Sequence, residues 1–388
     1  MKPNETPTQG NMSGTNEKRI HIAMATPRYF PFTGGVENHV FQVASRLVQR
    51  GMDVTVLTTD PKGKWPASEM QNGIEIRRVR AWPHNRDYYF APEIFSLVRR
   101  GAWDLVHVQS YHTFVPLFAM SAALRADIPY VLTFHGGGHT SALRHAARPF
   151  QRMVLRPFLA RAARLVALAR FEIEQYGHEL NLSPEFFTTI PNGADLPKLD
   201  GPIERLPSDA SLILSVGRLE KYKGHQRAIA ALPHVLERQP DARLRIVGTG
   251  PYEPELRKLA QELGVADKVE IGGIPPEKRQ EMARLVSRAA LVVLLSDFET
   301  HPLSALEALS LKRPVLVADN SGMKELAERG WASAVPTHAQ PTEIAEAMLK
   351  QLRAPLIPET LDLPTWDTCA LQLEALYLKV IAKRNRAS

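Results

Sequence analysis

Short apolar runs alternate with helical patterns along this chain, and this alternation constrains the fold more than any other feature of the sequence. The first series has β-rich runs at 19–25, 53–58, 74–80, 104–109, 130–134 and 164–168. A helical pattern at 33–51 follows the first run, with apolar positions on one face and Gly51 at its end. Near-continuous apolar strands separated by helices indicate a parallel sheet covered on both faces.

The same alternation begins again after a segment rich in proline, glycine and aspartate at 191–210, a composition typical of a linker. The second series has strands at 211–217, 244–248, 269–273, 290–296 and 314–319, with helices near 224–238, 253–263, 277–288 and 302–312. The chain therefore has the pattern of two doubly wound, Rossmann-like α/β domains. Their strand-end loops would line a central cleft, because ligands in such sheets bind beyond the carboxyl ends of the strands.

The domain boundaries follow from these patterns and from the length of 388 residues, which suits two domains. We predict a disordered polar leader at 1–18, a first domain at 19–196, a linker at 197–210 and a second domain at 211–360. Residues 361–388 contain a last helical pattern that could pack on either domain.

Composition and charge narrow the class of protein. The chain is 44% hydrophobic and 23% charged, as soluble globular proteins are, and its polar start lacks the apolar core of a secretory signal. Its apolar runs stay below the roughly 18 residues of a membrane span. The single cysteine, Cys369, excludes a disulfide within the chain, so we expect a cytoplasmic protein. The net charge of +7 favours anionic partners.

A glycine pair opens the helix that follows the first strand. Gly34 and Gly35 stand in the stretch PRYFPFTGGVENH at 27–39. Glycine lets the backbone approach a ligand, and a helix N-terminus offers N–H groups to an anion. The pattern fits a phosphate or sugar contact, and it fits an ordinary turn equally well.

His135 comes directly after the strand at 130–134 and precedes three glycines. A histidine at that strand end would point into the cleft. The simpler alternative is a solvated histidine on a mobile loop. A zinc site from His135 and His139 is disfavoured, because neither an HExxH pattern nor a pair of cysteines accompanies them.

Two cations follow the first strand of the second series. Arg218 and Lys223 stand in SVGRLEKYKGH at 215–225, ahead of a helical pattern. Cations at a strand end near a helix N-terminus suit a diphosphate. A solvated basic loop is the alternative, and Lys221 fits that description.

Two glutamates flank the start of the helix near 302–312. Glu299 lies in the preceding loop, Pro302 suits a first turn, and Glu307 lies one to two turns inside. The backbone amides of Leu303, Ser304 and Ala305 would be available to a phosphate. A carboxylate does not favour a phosphate, so the two glutamates more plausibly accept hydrogen bonds from sugar or ribose hydroxyls.

Five motifs in this order make the chain resemble the retaining glycosyltransferases of family GT4. They are the glycine pair, IPNGAD at 190–195, SVGR…KG at 215–224, RIVGTGP at 245–251 and the pair Glu299-x7-Glu307. The resemblance covers about residues 19–380. It implies the GT-B fold, an acceptor-side first domain, and a nucleotide-sugar donor bound mainly by the second domain. It also implies a helix from Trp366 onward that crosses back to the first domain, and catalysis without a metal or another cofactor.

The resemblance also implies roles for the matching residues. Arg218 and Lys223 would contact the donor diphosphate, Glu307 the ribose, and Glu299 the hydroxyls of the donor sugar. The amides of Leu303 and Ser304 belong to the same donor site. The charge that grows on the diphosphate as it leaves an oxocarbenium-like sugar would be stabilised by these cations and helix amides.

Three further positions follow from the resemblance. The segment IGGI at 271–274, with Ile271 and Gly273, would lie beside the nucleobase. His135 would lie near the anomeric carbon, and Gly35 near the phosphate or the acceptor. These residues complete the predicted active site.

The chain departs from the family pattern at two places. Thr300-His301-Pro302 stands where Gly-Phe-Gly is common, and the proline lacks an N–H that could touch a phosphate. Gln109 replaces the second histidine of an HxH pattern. These departures bear on the donor sugar and on acceptor contacts rather than on the class of reaction.

A basic stripe lies in the first domain, where residues 128–171 contain no aspartate or glutamate. Its arginines are spaced four apart, and they are Arg144, Arg148, Arg152 and Arg156. Pro149 and Pro157 would interrupt the helix or start new ones. Basic and apolar residues together resemble a helix that lies on anionic lipid at the inner face of a membrane. An acceptor subsite and a solvated helix face are the alternatives; nucleic acid is disfavoured because no motif for it accompanies the charge.

The leading hypothesis is a retaining glycosyltransferase that moves a sugar from a UDP-sugar or GDP-mannose type of donor to a lipid, polysaccharide or small glycoside. Another GT-B enzyme, such as an epimerase or a phosphorylase, is a second hypothesis. A non-catalytic nucleotide-sugar-binding protein is a third, because of the Thr300-His301-Pro302 departure.

Overall fold

The computed structural model describes residues 19–32, 34–84, 89–136, 142–194, 207–275 and 278–387, together with 196, 199 and 201; for residues 142–149 and 387 it describes the helical backbone only. The predicted leader at 1–18 lies outside these residues, as does most of the predicted linker. The fold is α/β, with two sheets that are parallel except for one strand pair.

The first sheet has eight strands in the order β3-β4-β2-β1-β5-β6-β7-β8, and β3 alone runs antiparallel to its neighbour β4. The strands are β1 His21–Ala25, β2 Asp53–Thr59, β3 Ser68–Gln71, β4 Ile74–Val79, β5 Leu105–Gln109, β6 Tyr130–Thr133, β7 Arg164–Ala167 and β8 Phe187–Thr189. The six predicted runs are confirmed. Two further strands were not predicted: β3, because its residues are mostly exposed and polar, and β8, because it has only three residues.

Five helices accompany this sheet among the described residues: α1 Gly35–Gln49, α2 Glu93–Arg100, α3 Phe114–Arg125, α4 Ala142–Leu159 and α5 Arg170–Leu180. The predicted apolar face of α1 is buried, with Val40, Val43 and Leu47 fully enclosed. Each such side chain stabilises the fold by about 1.5–3 kcal/mol.

The helix α4 corrects one prediction, because it runs through Pro149 and Pro157 as a single helix. A proline removes one backbone hydrogen bond from a helix. Burial of Leu155 and Leu159 against the core of the first domain holds this helix in place in spite of that loss.

The second sheet has six parallel strands in the order β11-β10-β9-β12-β13-β14. They are β9 Leu212–Val216, β10 Arg243–Val247, β11 Val269–Gly272, β12 Leu291–Leu294, β13 Val315–Ala318 and β14 Ser333–Val335. The helices are α6 His225–Leu236, α7 Glu253–Glu262, α8 Arg279–Arg288, α9 Leu303–Ser310, α10 Ser321–Glu328 and α11 Pro341–Arg353. All five predicted strands and four predicted helices are confirmed within a few residues.

The last helix, α12 Trp366–Ala387, packs on the first domain although it follows the second in sequence. Its Trp366, Leu373 and Tyr377 are buried in the same core as α1. Arg46 of α1 donates to Asp367 at 2.6 Å. The chain therefore crosses between the domains twice.

The two crossings meet at the IPNGAD motif. The amide of Ala194 donates to the carbonyl of Pro364 at 2.9 Å, so the outgoing and returning segments are paired. A Cβ added to Gly193 would overlap the backbone of Trp366, which explains why glycine stands there. The motif is thus a structural joint between the domains.

Candidate active site

The strand-end loops of both domains enclose a cavity of about 800 Å³. The first domain contributes uncharged residues, namely Phe30, Pro31, Gly34, Gly35, Asn38, Phe41, Gln42 and Gln71. The second contributes Val216, Gly217, Arg218, Lys223, Arg279, Met282, Glu299, His301, Pro302, Leu303, Ser304 and Glu307. A cavity at this place is expected, because strand carboxyl ends and helix N-termini meet there.

Two of the predicted donor-site residues, Lys223 and Glu299, form a direct ion pair of 2.6 Å in the cavity wall. The side chains are only 17% and 15% exposed, so solvent screens this pair weakly. The Ser296 hydroxyl also donates to the Glu299 carboxylate, at 2.9 Å. Two hydrogen bonds therefore fix the orientation of this carboxylate.

Arg218 lies at the same wall and is more exposed. Its guanidinium contacts the Tyr222 hydroxyl at 2.6 Å and the Glu220 carboxylate at 2.8 Å. Gly224, which follows Lys223, has a φ of +73° and lies directly against the Leu295 carbonyl, so only glycine fits there. The loop that carries both cations is thus pinned to the end of β12.

The start of α9 corrects two predictions. Pro302 precedes the helix rather than belonging to its first turn, and its carbonyl accepts the amide of Ala305 at 3.0 Å. Ala305 is therefore not available to a phosphate, which leaves the amides of Leu303 and Ser304. The Ser304 hydroxyl donates to the Val216 carbonyl at 3.3 Å, and this bond ties α9 to the end of β9.

Glu307 pairs with Arg279 at 2.7 Å, and both side chains line the cavity. Glu307 is 13% exposed and Arg279 is 36% exposed. Arg279 was not predicted, although its place at the first residue of α8, after the strand β11, is a signal for a strand-end residue.

The glycine pair lies at the cavity, with Gly35 as the first residue of α1. Behind it, the buried Glu37 carboxylate packs against Gly34 and forms an ion pair of 2.9 Å with Arg28. A side chain on Gly34 would collide with that carboxylate. Glu37 therefore shapes the loop, and sequence analysis did not single it out.

His135 is buried, so the alternative of a solvated histidine is wrong. Its Nε2 bonds the Gln109 side chain at 2.8 Å, and its ring lies edge-on to His39 at 4.8 Å. Burial holds the pKa of His135 well below its usual range, and neighbouring histidines lower it further. His135 is therefore neutral near pH 7, and it is not among the described cavity-lining residues. His139 lies outside the described residues.

His39 and His107 extend this arrangement into a row of buried histidines that the sequence analysis missed. His39 Nδ1 bonds the Asn192 side chain at 2.6 Å, and Asn192 belongs to IPNGAD. His107 bonds Tyr377 of α12 at 2.5 Å and Thr133 at 2.7 Å. Burial lowers the pKa of His39 to about 4, so the row is uncharged at neutral pH.

Ile271 and Gly273 are not among the described residues that line the cavity. The Ile271 side chain is buried in the core of the second domain. A Cβ on Gly273 would press against the Thr249 methyl. Only the backbone of this segment could border a nucleobase.

The arginine stripe is partly engaged inside the protein. Arg152 pairs with Glu179 at 2.9 Å, and Arg156 donates to the carbonyls of Leu180 and Asn181 at the end of α5. The side chains of Arg144 and Arg148 lie outside the described residues.

The described outer face of α4 is largely apolar, although Arg156 is exposed as well. Phe150 is 67% exposed, Met153 65% and Val154 37%. Across the described part of the chain, the helices are too short or too polar to span a bilayer. In the same residues, groups of three or more histidine, cysteine, aspartate or glutamate side chains placed to hold a metal ion are absent.

Two doubly wound domains around a cleft are the architecture of the GT-B glycosyltransferases, and solved structures share it. Sucrose-phosphate synthase from Thermosynechococcus elongatus superposes with a TM-score of 0.77 at 22% identity. The match covers 94% of this chain and 100% of that one.

Family models and curated relatives specify the class further. The model for Glycosyltransferase Family 4 matches residues 33–198, and the model for Glycosyl transferases group 1 matches residues 200–362. A D-inositol 3-phosphate glycosyltransferase from Nocardiopsis dassonvillei is 29% identical over 83% of this chain and 82% of its own length. A GDP-mannose:cellobiosyl-diphosphopolyprenol alpha-mannosyltransferase from Xanthomonas oryzae pv. oryzae is 27% identical over 93% of each chain. The chain belongs to the GT4-type glycosyltransferases and is an enzyme of the GT-B fold.

Proposed function

We propose that this enzyme is a retaining hexosyltransferase that uses a UDP-sugar or GDP-mannose type of donor. Its acceptor would be a lipid-linked sugar, a polysaccharide or a small glycoside. The observation that carries the proposal is the convergence of Arg218, Lys223, Glu299 and Glu307 on one wall of an interdomain cavity. The Xanthomonas relative is named for a GDP-mannose donor and a diphosphopolyprenol acceptor, which supports the donor and acceptor classes.

The donor diphosphate would lie between the two cations and the start of α9. Arg218 and Lys223 supply charge-assisted hydrogen bonds, and the amides of Leu303 and Ser304 add neutral donors at a helix N-terminus. Glu307 would accept hydrogen bonds from the ribose hydroxyls in place of the Arg279 guanidinium. Glu299 would accept hydrogen bonds from the transferred sugar.

The chemistry follows from this proposed position of the donor. Cleavage of the bond between sugar and diphosphate leaves negative charge on the diphosphate, and preorganised cations lower the barrier to that step. The neutral His135 imidazole lies behind the cavity wall, so it adds no positive charge that would repel the oxocarbenium-like sugar. We expect no metal requirement, since the two cations and the helix amides would surround the leaving group.

The test is a screen of UDP-, GDP- and ADP-hexoses with lipid-linked and soluble glycosides, with product configuration read by NMR. We expect transfer from at least one UDP- or GDP-linked sugar with retention, no effect of a chelator, and loss of activity in Arg218→Ala. An isomerised donor would identify an epimerase, and phosphate-dependent turnover a phosphorylase. Tight donor binding without turnover would identify a binding protein.

We also propose that the first domain rests on the cytoplasmic face of a membrane through α4. Phe150, Met153 and Val154 form an exposed apolar strip on one face, in a stretch without acidic residues. Because Arg152 and Arg156 bond within the protein, the apolar residues would supply most of the binding, and Arg144 and Arg148 the attraction to anionic lipid.

Vesicle co-sedimentation tests this surface. Phe150→Ser combined with Met153→Ser should weaken binding to anionic vesicles by at least about tenfold, because two large apolar side chains no longer enter the interface. Arg144→Gln combined with Arg148→Gln should make binding less sensitive to salt. Wild-type protein that ignores anionic vesicles at low salt would exclude the lipid surface.

A further inference from the structure

The Thr300-His301-Pro302 segment makes a direct hydrogen bond between the two halves of the site. The Thr300 hydroxyl donates to the Gly136 carbonyl at 2.8 Å. Thr300 is the neighbour of Glu299 in the donor wall, and Gly136 is the neighbour of His135. One bond therefore joins a donor-site loop of the second domain to the histidine loop of the first.

The first-domain side of this bond fits closely. A Cβ added to Gly136 would overlap the Thr300 hydroxyl and lie 3.2 Å from both the Phe298 ring and the Tyr176 hydroxyl. The carbonyl of Gly136 is thus held from the second domain, and the space around its Cα has no room for a side chain.

The second-domain side is fixed as well. The Glu299 carbonyl accepts the amide of Gly322 at 2.8 Å, and the Glu299 amide donates to the Ser321 hydroxyl at 2.9 Å. A Cβ on Gly322 would collide with the Thr300 carbonyl, so the start of α10 lies directly under this loop. Because both loops are restrained, a hydrogen bond between them fixes the position of one loop relative to the other.

Other contacts surround the bond. The Phe171 amide at the start of α5 donates to the Glu325 carboxylate at 2.9 Å, and the Phe171 and Phe298 rings lie 5.8 Å apart. These contacts press the domains together beside the cavity. Among these contacts, it is the Thr300 hydroxyl that bonds the loop after His135. Thr300 is 5% exposed, so water that would compete for the Gly136 carbonyl is excluded.

From these contacts we propose that Thr300 is a positioning residue for transfer, which sets the His135 loop against the donor wall. The proposal rests on the glycosyltransferase function proposed above. A glycine at position 300 would have no side-chain donor, so the contact depends on the Thr300 hydroxyl. The contact acts on turnover rather than on donor affinity, because donor binding needs the second domain while transfer needs both walls aligned.

Three variants test the proposal. Thr300→Val keeps the shape but lacks the hydroxyl, Thr300→Ser keeps the hydroxyl, and Gly136→Ala forces the two loops apart from the other side. We expect kcat to fall about tenfold or more in Thr300→Val and Gly136→Ala, since a buried carbonyl loses its partner. The Kd for the nucleoside diphosphate should stay within about twofold of wild type, and Thr300→Ser should retain most turnover.

Thr337→Val is the matched control, because the Thr337 hydroxyl donates to the Asp319 carbonyl within the second domain. Wild-type kcat in Thr300→Val would overturn the proposal, and so would a turnover loss that Thr300→Ser shares. A wild-type protein that transfers no sugar would overturn the proposed function instead. Small-angle scattering would then test whether the Thr300 contact holds the two domains together. A larger radius of gyration in Thr300→Val and Gly136→Ala supports this role, and profiles identical to wild type overturn it.

Discussion

The two walls of the cavity are built from different chemistry. The second domain lines it with ion pairs, Lys223 with Glu299 and Arg279 with Glu307, at 2.6 and 2.7 Å. The described cavity-lining residues of the first domain are uncharged, and behind them stands a row of neutral histidines.

This difference suits the two walls to different roles in binding and alignment. In an ion pair, a polar or charged ligand group can take the place of one partner. The second wall can therefore reorganise around a diphosphate and a ribose. A buried neutral network has no such partner to exchange, because every change of protonation or geometry costs desolvation. The first wall is therefore suited to hold a fixed shape against which the sugar and the acceptor are aligned.

The largest expected effect concerns the charged wall. Lys223→Ala removes a cation from the proposed diphosphate site and leaves the mostly buried Glu299 without its ion-pair partner. We expect kcat/KM for the donor to fall about a hundredfold or more, because the lost contact is strongest when charge develops on the leaving group.

Steady-state kinetics with a saturating acceptor measure this loss. Lys221→Ala is the control, since Lys221 is exposed two residues away, and it should keep wild-type rates. If Lys223→Ala and Lys221→Ala behave alike, the charged wall does not bind the leaving group.

A substitution in the uncharged wall should change the KM for the acceptor rather than the affinity for the donor. Asn38→Ala removes a cavity-lining amide of α1 that can bond acceptor or sugar hydroxyls. We expect the acceptor KM to rise about tenfold, as one or two hydrogen bonds are lost, while the Kd for the nucleoside diphosphate is unchanged.

Calorimetry and acceptor kinetics together test this contrast. The exposed Asn385, on the far end of α12, gives the control Asn385→Ala. A weaker Kd for the diphosphate in Asn38→Ala would show that both walls bind the donor, and the division of labour would then be wrong.

The charged wall was predictable from sequence because its residues follow strands in the order that a parallel sheet brings together. Arg218, Lys223, Glu299 and Glu307 could each be assigned from local pattern and motif spacing. Arg279 was missed, although it too follows a strand, because a lone arginine at a helix start carries no motif.

The uncharged wall was not predictable to the same degree. His39, His107 and Asn192 lie far apart in sequence, and only the packing of α1, β5 and the interdomain joint brings them together. A neutral buried histidine has no distinguishing local pattern, since the same residue on a surface helix looks identical in sequence. The Thr300 contact with Gly136 likewise depends on how the two domains meet, which neither loop encodes alone.

A smaller effect should separate the two glutamates of the charged wall. Glu307→Gln keeps the size but accepts hydrogen bonds more weakly and removes the charge that pairs with Arg279. We expect the Kd for the free nucleoside diphosphate to rise about fivefold, since ribose hydroxyls lose a charged acceptor. Calorimetric titration checks it, with the exposed Glu281→Gln on α8 as control. An unchanged Kd would assign Glu307 to a structural pair with Arg279 alone.

The smallest effect concerns the pH dependence of stability, and it tests the neutral network directly. Burial lowers the pKa of His39 to about 4, although the hydrogen bond to Asn192 raises it slightly against that trend. An unfolded histidine titrates near 6.5. Between these two values the unfolded chain binds more protons than the folded one, so the free energy of unfolding falls as the pH is lowered from about 6.5 towards 4.

His39→Gln should reduce this acid sensitivity, because glutamine retains an N–H for Asn192 and does not titrate. Urea unfolding at pH 7.5 and pH 5.0 measures the difference. We expect the wild type to lose about 1–2 kcal/mol more than the variant between these conditions. Burial also lowers the pKa of other histidines, which contribute to the remaining acid sensitivity of both proteins, and they include His107, His135, His225 and His301. His338→Gln, at an exposed histidine, should lose as much as the wild type. Equal losses in all three proteins would mean that the pKa of His39 is not lowered in the folded state. The first wall could then take up a proton, and the contrast with the second wall would be wrong.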